Sequence, residues 1–180
     1  SERQHIIKSR CEESNLPIIY LNLVGGQDDL VFDGGSFVYD NRGTIVCQFP
    51  QFLEKTEQVI FEQRKNGWVP LPELVAEIGS RESQDYKAVV LGLRDYVLKS
   101  NFHKVVIGLS GGIDSALVAV MAVDALGADN VVCLALPSKF NSSASLADAK
   151  QLSENLGITL ETISIQEIID KVDQRLAPLF

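Results

Sequence analysis

From residue 85 onward, helix-period segments alternate with short apolar runs, and this alternation constrains the fold more than any other feature of the 180-residue sequence. DYKAVVLGLRDYVLKSN places Tyr86, Val89, Val90, Leu93, Tyr96 and Val97 on one helical face. Strand KVVIGL follows, then helix SALVAVMAVDAL closed by Gly127, strand NVVCLAL, helix SLADAKQLSENLG, strand TLETISI and helix IQEIIDKVDQRL. Strands joined by helices imply parallel pairing with right-handed crossovers, so the expected class is α/β with a doubly wound parallel sheet.

Between the first strand and the next helix stands SGGIDS. The carboxyl end of a strand is where open α/β sheets bind ligands. Gly111 and Gly112 carry no Cβ, so the backbone can turn sharply and come close to a ligand. Amides from Gly111 to Ser115 then face outward at the positive end of the helix dipole, which suits anionic oxygens, and Ser110 and Ser115 add hydroxyls. Asp114 repels a phosphate unless a cation lies between them, and Mg2+ is the usual cation with oxygen ligands and phosphates. The pattern therefore predicts a nucleotide with a metal. Gly108, Leu109, Ser110, Gly111, Gly112, Ile113, Asp114 and Ser115 are its candidate ligands, with Asp114 on the metal. As pure structure, two glycines in a turn and an Asp and Ser at a helix start need no ligand. Yet S-G-G-x-D-S arises by chance in roughly one chain per several thousand of this size. The Walker loop is excluded because GK[ST] is missing, and the dinucleotide fingerprint because GLSGGI has the wrong spacing.

Composition narrows the partners. A chain that is 46% hydrophobic and 22% charged is globular, and a net charge of -8 excludes a broad nucleic-acid surface. Cys11, Cys47 and Cys133 lie far apart with no CxxC, which fits a reducing cytosol better than a disulfide framework and gives no zinc spacing. SERQHIIKSRCEES has no apolar signal core, and no run reaches the roughly eighteen apolar residues that span a bilayer, so the expectation is a soluble cytoplasmic chain.

The first 60 residues read differently. After the helix RQHIIKSRCEES, NLPIIYLNLVG has the continuous apolar character of a strand buried on both faces. SFVYDNRGTIVCQF reads as a hairpin in which Gly43 supplies a positive φ. Pro70 and Pro72 mark residues 61–84 as a linker, with a short helix over 72–78 compatible with the pattern. The expected organisation is thus 1–60, a linker 61–84, and 85–180.

GLSGGIDS resembles the pyrophosphate loop of the N-type ATP pyrophosphatases, and residues 85–158, including Pro-Ser-x-x-x-Ser-Ser and Ser-Leu-x-Asp-Ala, are similar to the start of the bacterial NAD synthetase domain. Upstream, LPIIYLNLVGGQDDLVFDGGSFVYDNRG resembles the last part of the nitrilase-like glutaminase domain of glutamine-dependent NAD synthetases. The resemblance implies the end of a nitrilase-like α-β-β-α sandwich followed by an adenine nucleotide alpha hydrolase-like sheet, both incomplete. It also implies ATP-dependent amidation of deamido-NAD with ammonia from glutamine, and a homo-oligomer. By match to the family loop, Ser110, Gly111, Gly112, Asp114 and Ser115 would carry the ATP work, with the Leu134–Leu136 backbone near adenine and Ser138 and Lys139 near the nucleotide. The family's glutaminase nucleophile is expected upstream of Ser1, so no catalytic residue is assigned here: Cys11 and Cys47 do not match its position, and His5 and His103 are read as structural or surface residues. The chain then reads as a fragment inactive alone, with apolar surface exposed at its sheet edge. Two alternatives stand beside this reading, another SGGxDS amidotransferase of the GMP synthetase kind and a noncatalytic nucleotide-binding module.

Overall fold

In the computed structural model, which describes residues 2–65, 67–72 and 75–179, helix α1 (Glu2–Ser14) buries Cys11 in a cluster with Phe37 and Tyr39. Strand β1 (Ile18–Tyr20) follows, then β2 (Val24–Gln27), β3 (Leu30–Asp33), β4 (Phe37–Tyr39) and β5 (Ile45–Gln48). An antiparallel sheet runs β1-β4-β5. Its rings interlock: Tyr20 stacks on Phe37 at 4.9 Å, and Tyr39 meets Phe37 edge-on at 5.4 Å, geometries worth about 1 kcal/mol each beyond area burial. The β4–β5 hairpin forms as expected, with Gly43 at φ +73°. Asp40 Oδ1 accepts from Arg42 N and Thr44 N, which closes the turn.

Three features of this unit differ from the sequence reading. NLPIIYLNLVG is not one strand but the three-residue β1 and, after a break, the first two residues of β2, and Ile19 is 55% and Leu21 84% exposed. A strand presents alternate side chains to opposite faces, and only one face of β1 is covered. GGQDDLVFDG, given no strand in the sequence reading, is the β2–β3 hairpin, turning at Asp28 with φ +50°, a conformation Asp tolerates. The expected linker holds a third hairpin, β6 (Phe61–Arg64) with β7 (Gly67–Pro70). Of the helix considered over 72–78, Glu73 and Leu74 lie outside the described residues. Val75 is extended in a parallel bridge to Gln48, and Ala76 N donates to Gln48 O, so the described residues of 72–78 carry no helix, and α2 (Arg81–Lys99) follows.

Contacts divide the chain into two units, one up to Gly92 and one from Leu93 on. Helix α2 buries Leu91 and Val97, while Val89 and Tyr96, expected inside, are 51% and 70% exposed. Periodicity finds an apolar stripe; the neighbouring elements decide which part of it is covered.

The second unit carries β8 (Val105–Gly108), α3 (Ile113–Leu126), a 3-10 turn at Ala128–Asn130, β9 (Val131–Ala135), α4 (Ser143–Leu156), β10 (Thr159–Thr162) and α5 (Gln166–Leu176). The strands pair in parallel in the order β10-β9-β8, with Gly108 opposite Leu134 and Ala135 opposite Thr162. Each crossover steps the same way, so right-handed connections put α3 and α4 on one face, where they touch each other. The described residues thus show one winding of a parallel α/β sheet, and the reversal of a doubly wound sheet does not occur among them. Ala119, Ala122 and Ala149 are almost wholly buried against Leu109, Val131, Cys133 and Ile158. Small side chains on the helices let them approach the sheet closely, so the β-branched and sulfur side chains of β9 are buried between them. Gly127 and Gly157, both at positive φ, end α3 and α4 as expected. Helix α5 buries no residue, and its Ile168 is 66% exposed. No helix among the described residues is long and apolar enough to cross a membrane.

Candidate functional site

The chain leaves the sheet at Gly108, and Leu109 N donates to Leu134 O, which extends the pairing by one residue. Leu109 is buried and anchors the loop in the core. The next three residues make the turn into α3. Gly111 sits at φ +82°, a region that side chains rarely occupy. A Cβ there would overlap the Ser145 carbonyl, lying 2.7 Å from its carbon and 2.8 Å from the Ser145 Cα. Glycine is therefore required at 111 twice over, by conformation and by space.

The two serines close the loop on itself. Ser115 Oγ accepts from Ser110 N at 3.2 Å and donates to Gly112 O at 3.0 Å, so in the 3.0 Å pair of hydroxyls it is Ser110 that donates. Ser110 Oγ also accepts from Gly112 N at 3.2 Å. Helix α3 starts at Gly112 with no side-chain cap, which leaves its first amides without intrahelical acceptors at the positive end of its dipole. Such an end suits an anion.

Beside the loop lies a cavity of about 220 Å³ at the carboxyl ends of β8 and β9. Gly108, Leu109 and Ser110 line it from one strand and Leu134, Ala135 and Leu136 from the next. It is smaller than the several hundred Å³ that enclose a whole drug-sized ligand, so it has room for one ring system rather than a complete nucleoside triphosphate. Of the eight predicted residues, three line this cavity. The other five, Gly111, Gly112, Ile113, Asp114 and Ser115, form the turn and first helical residues next to it, and the Ile113 side chain is 81% exposed.

Asp114 stands in the first turn of α3 and is exposed. Among the described residues no group of three His, Cys, Asp or Glu could hold a metal ion. One exposed carboxylate fits a Mg2+ ion whose remaining ligands are water and substrate phosphate, the usual habit of that ion, and does not fit a cage built from protein alone.

Lys139 does not line this cavity. Its Nζ pairs with Asp173 Oδ2 at 3.2 Å, its backbone N donates to Gln166 Oε1, and its ammonium lies over the Phe140 ring. Ser138 bonds to Asn141 Oδ1 through both its N and its Oγ. Asn141, Ser145 and Leu146 line the cavity and were not predicted as site residues. Their signal was the serine-rich start of α4 directly after β9. Only the fold shows that this start faces the glycine loop. Cys11 and Cys133 are fully buried, and burial pushes both thiols up, away from the thiolate that nucleophilic chemistry needs.

A family model described as NAD synthase matches residues 85–179. The glutamine-dependent NAD(+) synthetase of Rhodobacter capsulatus is 51% identical over 165 residues, covering 91% of this chain and 30% of that protein. The enzyme of the same name from Synechocystis is 41% identical over 178 residues, covering 99% of this chain and 32% of its own length. A solved structure of glutamine-dependent NAD+ synthetase from Acinetobacter baumannii, in complex with adenosine diphosphate, matches with a TM-score of 0.92 at 36% identity, over 99% of this chain and 34% of that one. The chain spans about a third of the length of these relatives.

Proposed function

The chain belongs to the NAD synthase family, and from that premise we propose that it supplies the ATP-binding loop of a glutamine-dependent NAD synthetase. The nicotinate carboxylate of deamido-NAD attacks the α-phosphorus of ATP, and pyrophosphate leaves. Ammonia released from glutamine attacks the resulting acyl adenylate, AMP leaves, and the amide of NAD remains. The first step replaces an oxide leaving group with a phosphate ester, so catalysis is largely positioning and charge neutralisation.

One observation carries the reading: a glycine-only turn at Gly111 opens the uncapped start of α3 beside a cavity at the ends of two parallel strands. The cavity would take the adenine ring along Leu134–Leu136, and the amides of Gly111 to Ser115, with the Ser110 and Ser115 hydroxyls, would hold the phosphates. Mg2+, held by Asp114 and phosphate oxygens, would neutralise charge on the triphosphate. For the phosphates to enter, the Ser110–Ser115 bonds must exchange for bonds to ligand oxygens. The complex of the Acinetobacter relative with adenosine diphosphate supports this nucleotide reading. Residues 1–60 would be nitrilase-like, residues 61–84 would connect them to a synthetase part at 85–180, and the assembled enzyme would be a homo-oligomer.

The test is to supply the full-length protein with ATP, Mg2+ and either deamido-NAD or XMP, with glutamine as nitrogen source. NAD and equimolar pyrophosphate should form from deamido-NAD only. Amidation of XMP, or ATP binding with no amide product, would replace this reading by one of its two alternatives.

A further inference from the structure

The side chain of Ser142 caps the first turn of α4. Ser142 stands at the N-cap in extended backbone, φ −77° and ψ 151°. Its Oγ accepts from Ser145 N at 3.1 Å and lies 2.9 Å from Ser145 Oγ. The residues before it are braced in the same manner, since Asn141 Oδ1 accepts from both N and Oγ of Ser138 and Asn141 N donates to Ser138 O. Ser142 is the last link between this turn and the helix.

Ser145 is also where α4 meets the glycine loop. Its peptide occupies the space a side chain at position 111 would need, so the backbone of Gly111 is seated directly on it. The side-chain hydrogen bonds inside the loop join Ser110, Gly112 and Ser115 and leave out Gly111. Packing against Ser145 therefore restrains the one residue of the loop that its serines do not hold.

We infer that Ser142 is a positioning residue for the nucleotide loop. By accepting from the Ser145 N–H it fixes the first turn of α4, and with it the Ser145 Cα and carbonyl against which Gly111 sits in its φ +82° turn, and that turn aims the amides at the start of α3. Ser142 does not line the cavity, so it acts through Ser145 and not by touching the ligand. The inference rests on the nucleotide reading given above, because it assigns Ser142 to ATP affinity. A cap that served the helix alone would change stability and leave affinity untouched.

The full-length protein with Ser142→Ala and Ser142→Thr separates these roles. Calorimetry gives the ATP Kd, steady-state rates give KM for ATP and for glutamine, and melting gives stability. The expected result for Ser142→Ala is a rise of about three- to tenfold in both Kd and KM for ATP, the range that loss of an N-cap produces when it is transmitted to binding. KM for glutamine should not move, and Ser142→Thr, which keeps the accepting hydroxyl, should return the ATP values to within about twofold. If Ser142→Ala fails to fold, Ser142→Gly, a better tolerated N-cap without a side chain, should raise both ATP values in the same direction by less, about twofold, with the Thr variant below it. A lowered melting temperature with an unchanged ATP Kd overturns the inference, as does a Thr variant as weak as the Ala variant. Wild-type protein that binds no ATP overturns the nucleotide reading first and this inference with it.

Discussion

The guanidinium of Arg3 grips the carboxylate of Asp33 with two parallel hydrogen bonds, Nη1 to Oδ1 at 2.9 Å and Nη2 to Oδ2 at 2.6 Å, across thirty positions of sequence. Asn22 Nδ2 donates to Oδ1 and Gln51 Nε2 to Oδ2, each at 2.9 Å, and Gln51 also reaches Gln84 Oε1. This carboxylate thus ties α1, the β2–β3 hairpin, the segment after β5 and the start of α2. Burial pushes its pKa up, but the bonds from Arg3 and Gln51 outweigh that and hold it below the usual carboxylate value. A depressed folded pKa means the stabilisation is complete above the unfolded pKa and is lost as pH falls through the folded one. Stability of the first unit should therefore decline below about pH 4. Asp33→Asn should cost about 1–2 kcal/mol at pH 7, less than a fully buried pair because Arg3 is partly solvated, and should flatten that decline. Denaturant melts of both forms between pH 3 and 7 measure this; parallel curves for the two would show Asp33 is not the titrating group.

Gly111→Ala should abolish nucleotide binding while leaving the fold in place. The new methyl group meets the Ser145 peptide and the backbone is at φ +82°, so the turn must shift, at a cost of about 1–3 kcal/mol in strain alone. Calorimetry with ATP beside a far-ultraviolet dichroism spectrum checks both halves. Tight binding by this variant would mean the loop does not hold the phosphates in the conformation described.

Asp114→Asn should separate the metal from the nucleotide. Without its charge the site no longer repels bare phosphate and no longer recruits a cation, so affinity for metal-free ATP should hold or rise while the gain on adding Mg2+ shrinks by about tenfold. Titrating ATP with and without Mg2+ into wild type and variant gives the comparison. An unchanged Mg2+ response would remove Asp114 from the metal.

The three thiols should be silent in the folded protein. Cys11 and Cys133 are 0% and Cys47 3% exposed, and burial raises the first two above the ordinary thiol pKa. A chromogenic disulfide reagent at pH 8 should therefore detect all three only after denaturation. Rapid labelling of a native thiol would show that its cluster opens readily.

Much of the second unit was legible because its signals are local. Strand, glycine pair and apolar helix occur in sequence order from Val105 to Leu126, and Gly127 and Gly157 end their helices where the pattern places them. The first unit was less legible. Ile19 and Leu21 look like core residues, yet they are 55% and 84% exposed, because burial is decided by which elements pack over β1 and the residue after it. The β2–β3 turn at Asp28 lacked the Asn-Gly or Asp-Gly signature that marks a two-residue hairpin.

By itself the sequence determined that a strand would end in a glycine turn at the start of a helix, since glycine freedom, helix polarity and the Asp114 charge are properties of neighbouring residues. Tertiary structure alone decided that Ser145 backs Gly111, that Asn141 and Leu146 complete the cavity, and that Lys139 faces Asp173. Those contacts join residues tens of positions apart, and their existence depends on where parallel strands and crossover helices bring them, which no local preference encodes.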